Sequence, residues 1–299
     1  MARLCEGRVA IVSGGARGVG REHCLMLAEH GAKVVVNDLG GDRAGAGQDI
    51  SAAQQVVNEI KAKGGEAVAN GDDVSDWDGA KRMIDQAVQV FGKLDAVVLN
   101  AGILRDRMLV NMSEQEWDAV IKVHLKGTFA PARHAAAYWR DRAKETGAPV
   151  DARIITTTSV SGTYGNIGQT NYGAAKAGIA SFTIIASREL ARYGVTVNSI
   201  SPSAFTRMTD DLREYTEEDK AVRDPKWVAP VATWLVSEDS REITGRVFQA
   251  GGGKFAVSEG WHIGPQAAQI ADPVQAGKVL AELAGKARKN AGMNGLDLD

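Results

Sequence analysis

Apolar positions along the chain fall into short, dense runs. "VAIVS", "AKVVV", "LDAVVL", "ARIITTT" and "VTVNSIS" are nearly continuous in aliphatic and β-branched side chains, and segments with helical spacing separate them. A strand that alternates apolar and polar residues has one dry face, whereas a strand apolar throughout is covered on both. The alternation therefore predicts a doubly wound α/β architecture, a single parallel sheet with helices on both faces. The first helix places Cys24, Leu25, Leu27 and Ala28 on its apolar side and stops at Gly31, which closes one βαβ unit.

Two stretches interrupt this rhythm. "LGGDRAGAGQDISAAQQ" lengthens the second connection into a glycine-rich loop before an amphipathic helix expected at about 52–63. From Lys254 onward alanine, glycine and polar residues dominate, with "VQAGKVLAELAGKARK" as a terminal helix. The expected organisation is a catalytic domain over 1–253 and a C-terminal extension over 254–299. The extra "KETGAPVDA" ahead of the serine-bearing strand has the composition of a surface insertion.

Composition narrows the partners. With 44% hydrophobic residues among 299, the chain can bury a sizeable core. Lys and Arg number 35 against 37 Asp and Glu, and this balance offers no broad attraction to nucleic acid or an anionic membrane. Two cysteines, Cys5 in an irregular-looking start and Cys24 on a helix, suggest a reducing cytoplasm rather than a disulfide framework. No apolar run approaches the ~18 residues of a membrane span, and no metal site is expected.

"SGGARGVG" links the first strand to the first helix. Gly14, Gly18 and Gly20, with Val19 between the last two, suit a turn that lets a pyrophosphate reach the unpaired amides of a helix N-terminus, the arrangement of a Rossmann dinucleotide site. Asp38 follows Gly20 by 18 residues, at the end of the next strand. A carboxylate there accepts hydrogen bonds from ribose hydroxyls and repels a 2′-phosphate, which favours NAD over NADP. Arg17 meets either a cofactor phosphate or solvent. Asp73 and Val74 after the expected third strand, and Asn100 and Gly102 after the fourth, either line the cofactor or serve as ordinary turns.

In "TNYGAAKAG", Tyr172 and Lys176 stand four residues apart and share a helix face. A free tyrosine has a pKa of about 10 and needs a neighbouring cation to act as a base at neutral pH. Lys176 is the expected cation. Ser159, thirteen residues before Tyr172 and at the end of a strand, suits a hydrogen bond to an alcohol or carbonyl oxygen.

Together these residues resemble the short-chain dehydrogenase/reductase family over about Gly7 to Gly253, through the glycine motif, "NAG", the serine, "YxxxK", a proline segment and "ITGRVFQAGGG". The resemblance implies that Ser159 orients the substrate oxygen and Tyr172 exchanges its proton. It also implies that Lys176 holds the nicotinamide ribose and lowers the tyrosine pKa, while hydride passes to or from NAD. "NAGILRDR", "VHLKGTF", "SGTYGNIGQTNYGAAK" and "TRMT" look like the (3R)-hydroxyacyl-CoA dehydrogenase module of peroxisomal multifunctional enzyme type 2 and its stand-alone actinobacterial relatives. That likeness implies a 3-hydroxyacyl-CoA substrate, with a 17β-hydroxysteroid or a steroid side-chain CoA ester as the alternative, and a homodimer or homotetramer. A non-catalytic cofactor sensor or assembly subunit is the alternative of another class.

Two positions depart from the wider family. His124 stands where many members have Asn, and is either part of a proton relay or a packed helix residue. "PSAFT" is one residue shorter than the usual proline segment, so the contacts of Pro202 and Thr206 with the nicotinamide depend on its register. Arg105, Arg107 and Arg207 are candidate partners for the phosphates of a CoA ester.

Overall fold

β1 (Val9–Ser13) is buried at every position, with Val9 and Ile11 in one apolar layer and Ala10 and Val12 in the other. Burying a Val or Ile side chain contributes roughly 1.5–3 kcal/mol, so a central strand closed on both faces anchors the fold. The computed structural model describes residues 3–209 and 214–297. After β1 come α1 (Gly18–Glu29), β2 (Lys33–Asn37), α2 (Ser51–Ala62), β3 (Glu66–Asn70), α3 (Trp77–Phe91) and β4 (Ala96–Leu99). The second half holds α4 (Glu114–Ile121), α5 (Gly127–Thr146), β5 (Ala152–Thr157), α6 (Val160–Thr163), α7 (Thr170–Leu190), β6 (Val195–Ser203), α8 (Glu217–Val222), α9 (Ala229–Val236), β7 (Val247–Gly251) and β8 (Lys254–Ser258).

Among the described residues these strands form one sheet in the order β3-β2-β1-β4-β5-β6-β7-β8, parallel except for the antiparallel hairpin partner β8. Leu27 of α1, Val56 of α2 and Leu235 of α9 pack in one layer; Met83 of α3, Ala135 and Trp139 of α5 and Ala186 of α7 pack in the other. The doubly wound expectation holds. The order reverses between β1 and β4, and a parallel sheet opens its ligand crevice at the strand ends beside such a reversal. Ser13, Leu99, Thr157 and Ser203 end their strands along that edge.

Local signals set several boundaries. Asp76 accepts from the Gly79 amide to cap α3, and Gly92 ends it in the left-handed region at φ 83°. Ser113 and Glu116 form a reciprocal capping box at the start of α4. Cys5 lies in the irregular start, as expected, and is fully buried there; burial pushes its thiol up to about 12. The stretch taken for an insertion is the last turn of α5 and a short connection. Its Asp151 binds Arg8 and the buried Arg153 at 2.5 and 2.7 Å, so it locks the sheet edge opposite the crevice.

The first compact unit runs to Ser258, because residues assigned by composition to the extension add β8 to the sheet. Residues 259–297 form a unit of their own. It contains α10 (Pro273–Lys286), which Asp272 caps by accepting from the Gln275 amide, and an Arg288–Asp297 ion pair at 2.7 Å. Among the described residues no helix is long and apolar enough to cross a membrane.

Candidate active site

At the nucleotide end the chain keeps side chains out of the way. A Cβ at Gly20 would overlap the carbonyl oxygen of Gly14, so the turn and the first turn of α1 touch directly. No side chain caps the N-terminus of α1, which leaves its first amides for an anion. This uncapped terminus above a glycine turn fits a dinucleotide pyrophosphate. Asn100 donates through Nδ2 to the carbonyls of Ser13 and Gly14, both at 3.2 Å, so its amide fastens β4 to that turn.

Asp38 sits just beyond β2. Its carboxylate accepts from the amides of Ala16 at 3.0 Å and Gly40 at 2.8 Å, which fixes it beside the glycine turn. Arg17 and Arg207 both donate to the Gly41 carbonyl, at 3.3 and 3.1 Å. Arg105 donates to the Ala44 carbonyl, so the loop after β2 is strapped down from three directions. Thr206 lies over the same turn: a Cβ on Gly18 would come within 3.2 Å of its Cγ2. Pro202 is the penultimate residue of β6, paired with Ala250. Asp73 spends one oxygen on the amide and hydroxyl of Ser75, at 2.8 and 2.7 Å, and Val74 is buried against Gly127.

At the other end α6 and α7 bring Ser159, Tyr172 and Lys176 together. Ser159 hydrogen-bonds the Tyr172 hydroxyl, and the Lys176 Nζ lies 5.5 Å from the centre of the phenol ring. Thr158 Oγ1 donates to the Lys176 carbonyl at 2.7 Å, and Lys176 Nζ donates to the Thr157 carbonyl at 2.6 Å, which ties α7 to the end of β5. The electrostatics differ from the sequence expectation. Burial raises the Tyr172 pKa to about 12 despite the Ser159 hydrogen bond, and burial lowers that of Lys176 to about 7. Loss of hydration outweighs attraction when both groups leave water together, so the lysine alone does not bring the phenol into the neutral range.

His124 lies in a π-helical turn, Lys122–Lys126, that joins α4 to α5 and that the periodicity did not reveal. Such turns often mark functional sites. Its ring stands edge-on to Tyr172 with centroids 5.1 Å apart, and Nε2 is 2.8 Å from the Ile103 carbonyl. Taking Nε2 as the donor leaves Nδ1 as a buried acceptor without a partner among the described residues. Burial, reinforced by the Lys176 charge, lowers its pKa to about 3, so the imidazole is neutral at physiological pH. Gly102 has a reason of its own here, since a Cβ on it would overlap the His124 ring.

Sequence reasoning missed several polar residues beside Tyr172. Asn171 is fully buried, accepts from the Tyr172 amide at 2.7 Å and donates to the carbonyls of Arg105 and Glu116. Gln169 and Ser161 are buried and bonded to each other, and Gln169 also binds Asp106. The available signal was the run of polar residues in "GQTNY", at positions where a helix start needs few. Of the three arginines considered for a CoA phosphate, Arg107 is paired with Glu116 at 3.2 Å, whereas Arg105 and Arg207 donate to backbone carbonyls.

The profile described as short chain dehydrogenase matches residues 8–219. The hydroxyacyl-CoA dehydrogenase ChsB1 of Mycobacterium tuberculosis is 45% identical over 81% of this chain and 77% of its own length. The peroxisomal multifunctional enzyme type 2 of Mus musculus is 41% identical over 86% of this chain, but the match spans only 32% of that longer protein. A crystal structure of a short chain dehydrogenase from Mycobacterium avium superposes with a TM-score of 0.86 at 52% identity, covering 96% of this chain and 98% of the other.

Proposed function

The chain belongs to the short-chain dehydrogenase/reductase family, oxidoreductases that act on CH–OH groups with a nicotinamide cofactor, and from that membership we propose that it uses NAD to interconvert a 3-hydroxyacyl-CoA and its 3-oxo counterpart. The observation that carries the reading is the buried contact of Ser159 with Tyr172, with Lys176 behind the same ring. A sensor needs only the nucleotide end and would have no use for three desolvated polar groups that cost stability.

Cofactor residues follow the two halves of the molecule. Asp38, Asp73 and Val74 would meet the adenosine half, and the amides of Gly18, Val19 and Gly20, with Arg17, would meet the pyrophosphate. Gly14 and Asn100 shape that turn. Gly102, Pro202, Thr206 and Lys176 would border the nicotinamide half. Bound NAD would supply a hydride acceptor and a positive ring whose charge would add to that of Lys176 beside Tyr172. Ser159 holds the substrate oxygen, and Tyr172 takes its proton during oxidation or returns it during reduction. His124 keeps a buried Nδ1 without a partner among the described residues and carries no charge of its own.

Support for a fatty substrate comes from the rim. The Arg107 amide donates to the Gly168 carbonyl at 2.8 Å, which stitches together two segments carrying the exposed Leu109, Val110 and Ile167. Arg105 and Arg207 provide cations for the phosphates of a CoA ester. A second cofactor reading has its own observation: Arg17 and Arg207 converge on Gly41, a geometry that a 2′-phosphate would also exploit, against the repulsion of Asp38. By family analogy the protein assembles as a homodimer or homotetramer, and its two unpaired cysteines suit a reducing cytoplasm.

Steady-state assays with NAD and NADP, on 3-hydroxybutyryl-CoA, longer 3-hydroxyacyl-CoA esters and a 17β-hydroxysteroid, test the proposal. The expected result is the highest kcat/KM for a CoA ester with NAD. Inactivity on every CoA ester removes the substrate class, and a preference for NADP removes the cofactor assignment.

A further inference from the structure

Ser159 has one hydrogen to give, and its surroundings decide where that hydrogen points. Its Oγ accepts the Ser161 amide at 3.1 Å, which occupies a lone pair and leaves the O–H for the Tyr172 side, where the two hydroxyls meet. Ser161 is held in turn: its hydroxyl donates to Gln169 Oε1 at 2.7 Å. Asn166 Nδ2 donates to the same oxygen at 3.0 Å, and Gln169 Nε2 donates to Asp106 Oδ2 at 2.7 Å. This fixes the glutamine amide end to end. A flipped amide would set its NH2 against the Asn166 donor and its oxygen against a carboxylate.

We propose that Asp106, Gln169 and Ser161 are a chain of positioning residues that aims the Ser159 hydroxyl at the reacting oxygen. The inference rests on the catalytic reading of Ser159 and Tyr172 given above. Gln169 and Ser161 are 5% and 6% exposed, so the chain operates where hydrogen bonds are strong and a mismatch is costly. Asp106 itself lies on the surface, in the segment after β4. Two further bonds hold that segment against α7: the Arg107 amide to Gly168 O, and Asn171 Nδ2 to Arg105 O at 2.9 Å.

Asp106 carries a second consequence, because its negative charge opposes formation of the Tyr172 phenolate. The other ionisable groups around the phenol are Lys176 on α7 and the neutral His124 on the π-helical turn. Arg107 and Glu116, from the segment after β4 and from α4, are paired with each other. The β5 and α6 side contributes the uncharged Ser159. Asp106 is therefore the anion in this set that acts against Tyr172, and an isosteric neutral residue separates its two roles.

The test compares D106N, D106A and Q169L with wild type in pH profiles for oxidation of the active alcohol, with Y172F as control. Asn at 106 still offers an oxygen to Gln169 Nε2. D106N should keep a plateau kcat within about threefold of wild type while the acidic limb of kcat/KM moves to lower pH by roughly half a unit. D106A and Q169L break the chain and should lose about tenfold or more in kcat with little change in KM. A purely structural glue would leave the kcat of D106A and Q169L at the wild-type value below their melting range, whereas the limb of D106N reads the charge alone. A Q169L kcat equal to wild type overturns the positioning chain, and a D106N profile superimposed on wild type overturns the charge effect. If Y172F itself turns over normally, the catalytic reading fails instead, so the two failures are distinguishable.

Discussion

Around the turn after β1 the chain offers backbone amides and the side chains stand aside, whereas between β5 and α7 it offers side chains, with Ser159 and Lys176 buried and Tyr172 half-buried between them. Gly20 is needed because Gly14 O fills the space of a Cβ, and the α1 terminus is open because nothing caps it. Lys176 is 3% exposed and Tyr172 is hydrogen-bonded inside the fold, so burial governs their titration. One end is shaped by what the chain leaves out. The other holds groups whose pKa values burial shifts.

The largest expected effect breaks the nucleotide end. Gly20→Val pushes a side chain into the Gly14 carbonyl, and its cost of roughly 3 kcal/mol should weaken NAD binding about a hundredfold by calorimetry, with a lower Tm. Asp38→Ala removes the acceptor of the Ala16 and Gly40 amides together with the one proposed for the ribose. The KM for NAD should rise about tenfold while that for NADP falls, narrowing the preference.

A smaller effect sharpens the electrostatic side. His124 and the fully buried His23 are held neutral, with pKa values lowered to about 3 and about 4 by burial. The unfolded chain binds protons at these histidines near pH 6.5, and the folded chain does not until far lower pH. Stability should therefore fall as pH drops from about 6.5 toward 5. His124→Asn should make that fall shallower by about one proton, read from urea midpoints across the range. The smallest change is expected at the rim: Arg107→Ala loses an exposed pair with Glu116 and should alter stability by less than about 1 kcal/mol.

The same contrast explains what the sequence revealed. Near-continuous apolar runs and the glycine turn are backbone-level patterns, so the parallel sheet and the tight turn into an uncapped α1 were legible. Tyr172 and Lys176 were legible as a pair on one helix face. Their charge states were not, because desolvation depends on how completely α7 is covered, which no local spacing records. The π-helical turn at His124 escaped for a related reason: its extra residue per turn answers to packing against Ile103 and Gly102. The bonds of Gln169 and Asn171 to segments 55 to 66 residues away are long-range facts about short polar residues, and periodicity is blind to them. β8, only five residues long, was hidden by the alanine- and glycine-rich composition of the segment it opens.

The most direct measurement is single-turnover hydride transfer from a 3-hydroxyacyl-CoA to NAD by wild type and Tyr172→Phe, with the NAD dissociation constant measured on the same preparations. A loss of about a thousandfold in the transfer rate, with NAD affinity kept within a fewfold, is the predicted outcome. Transfer by the phenylalanine variant at the wild-type rate would contradict the assignment of Tyr172 as the group that exchanges the substrate's proton.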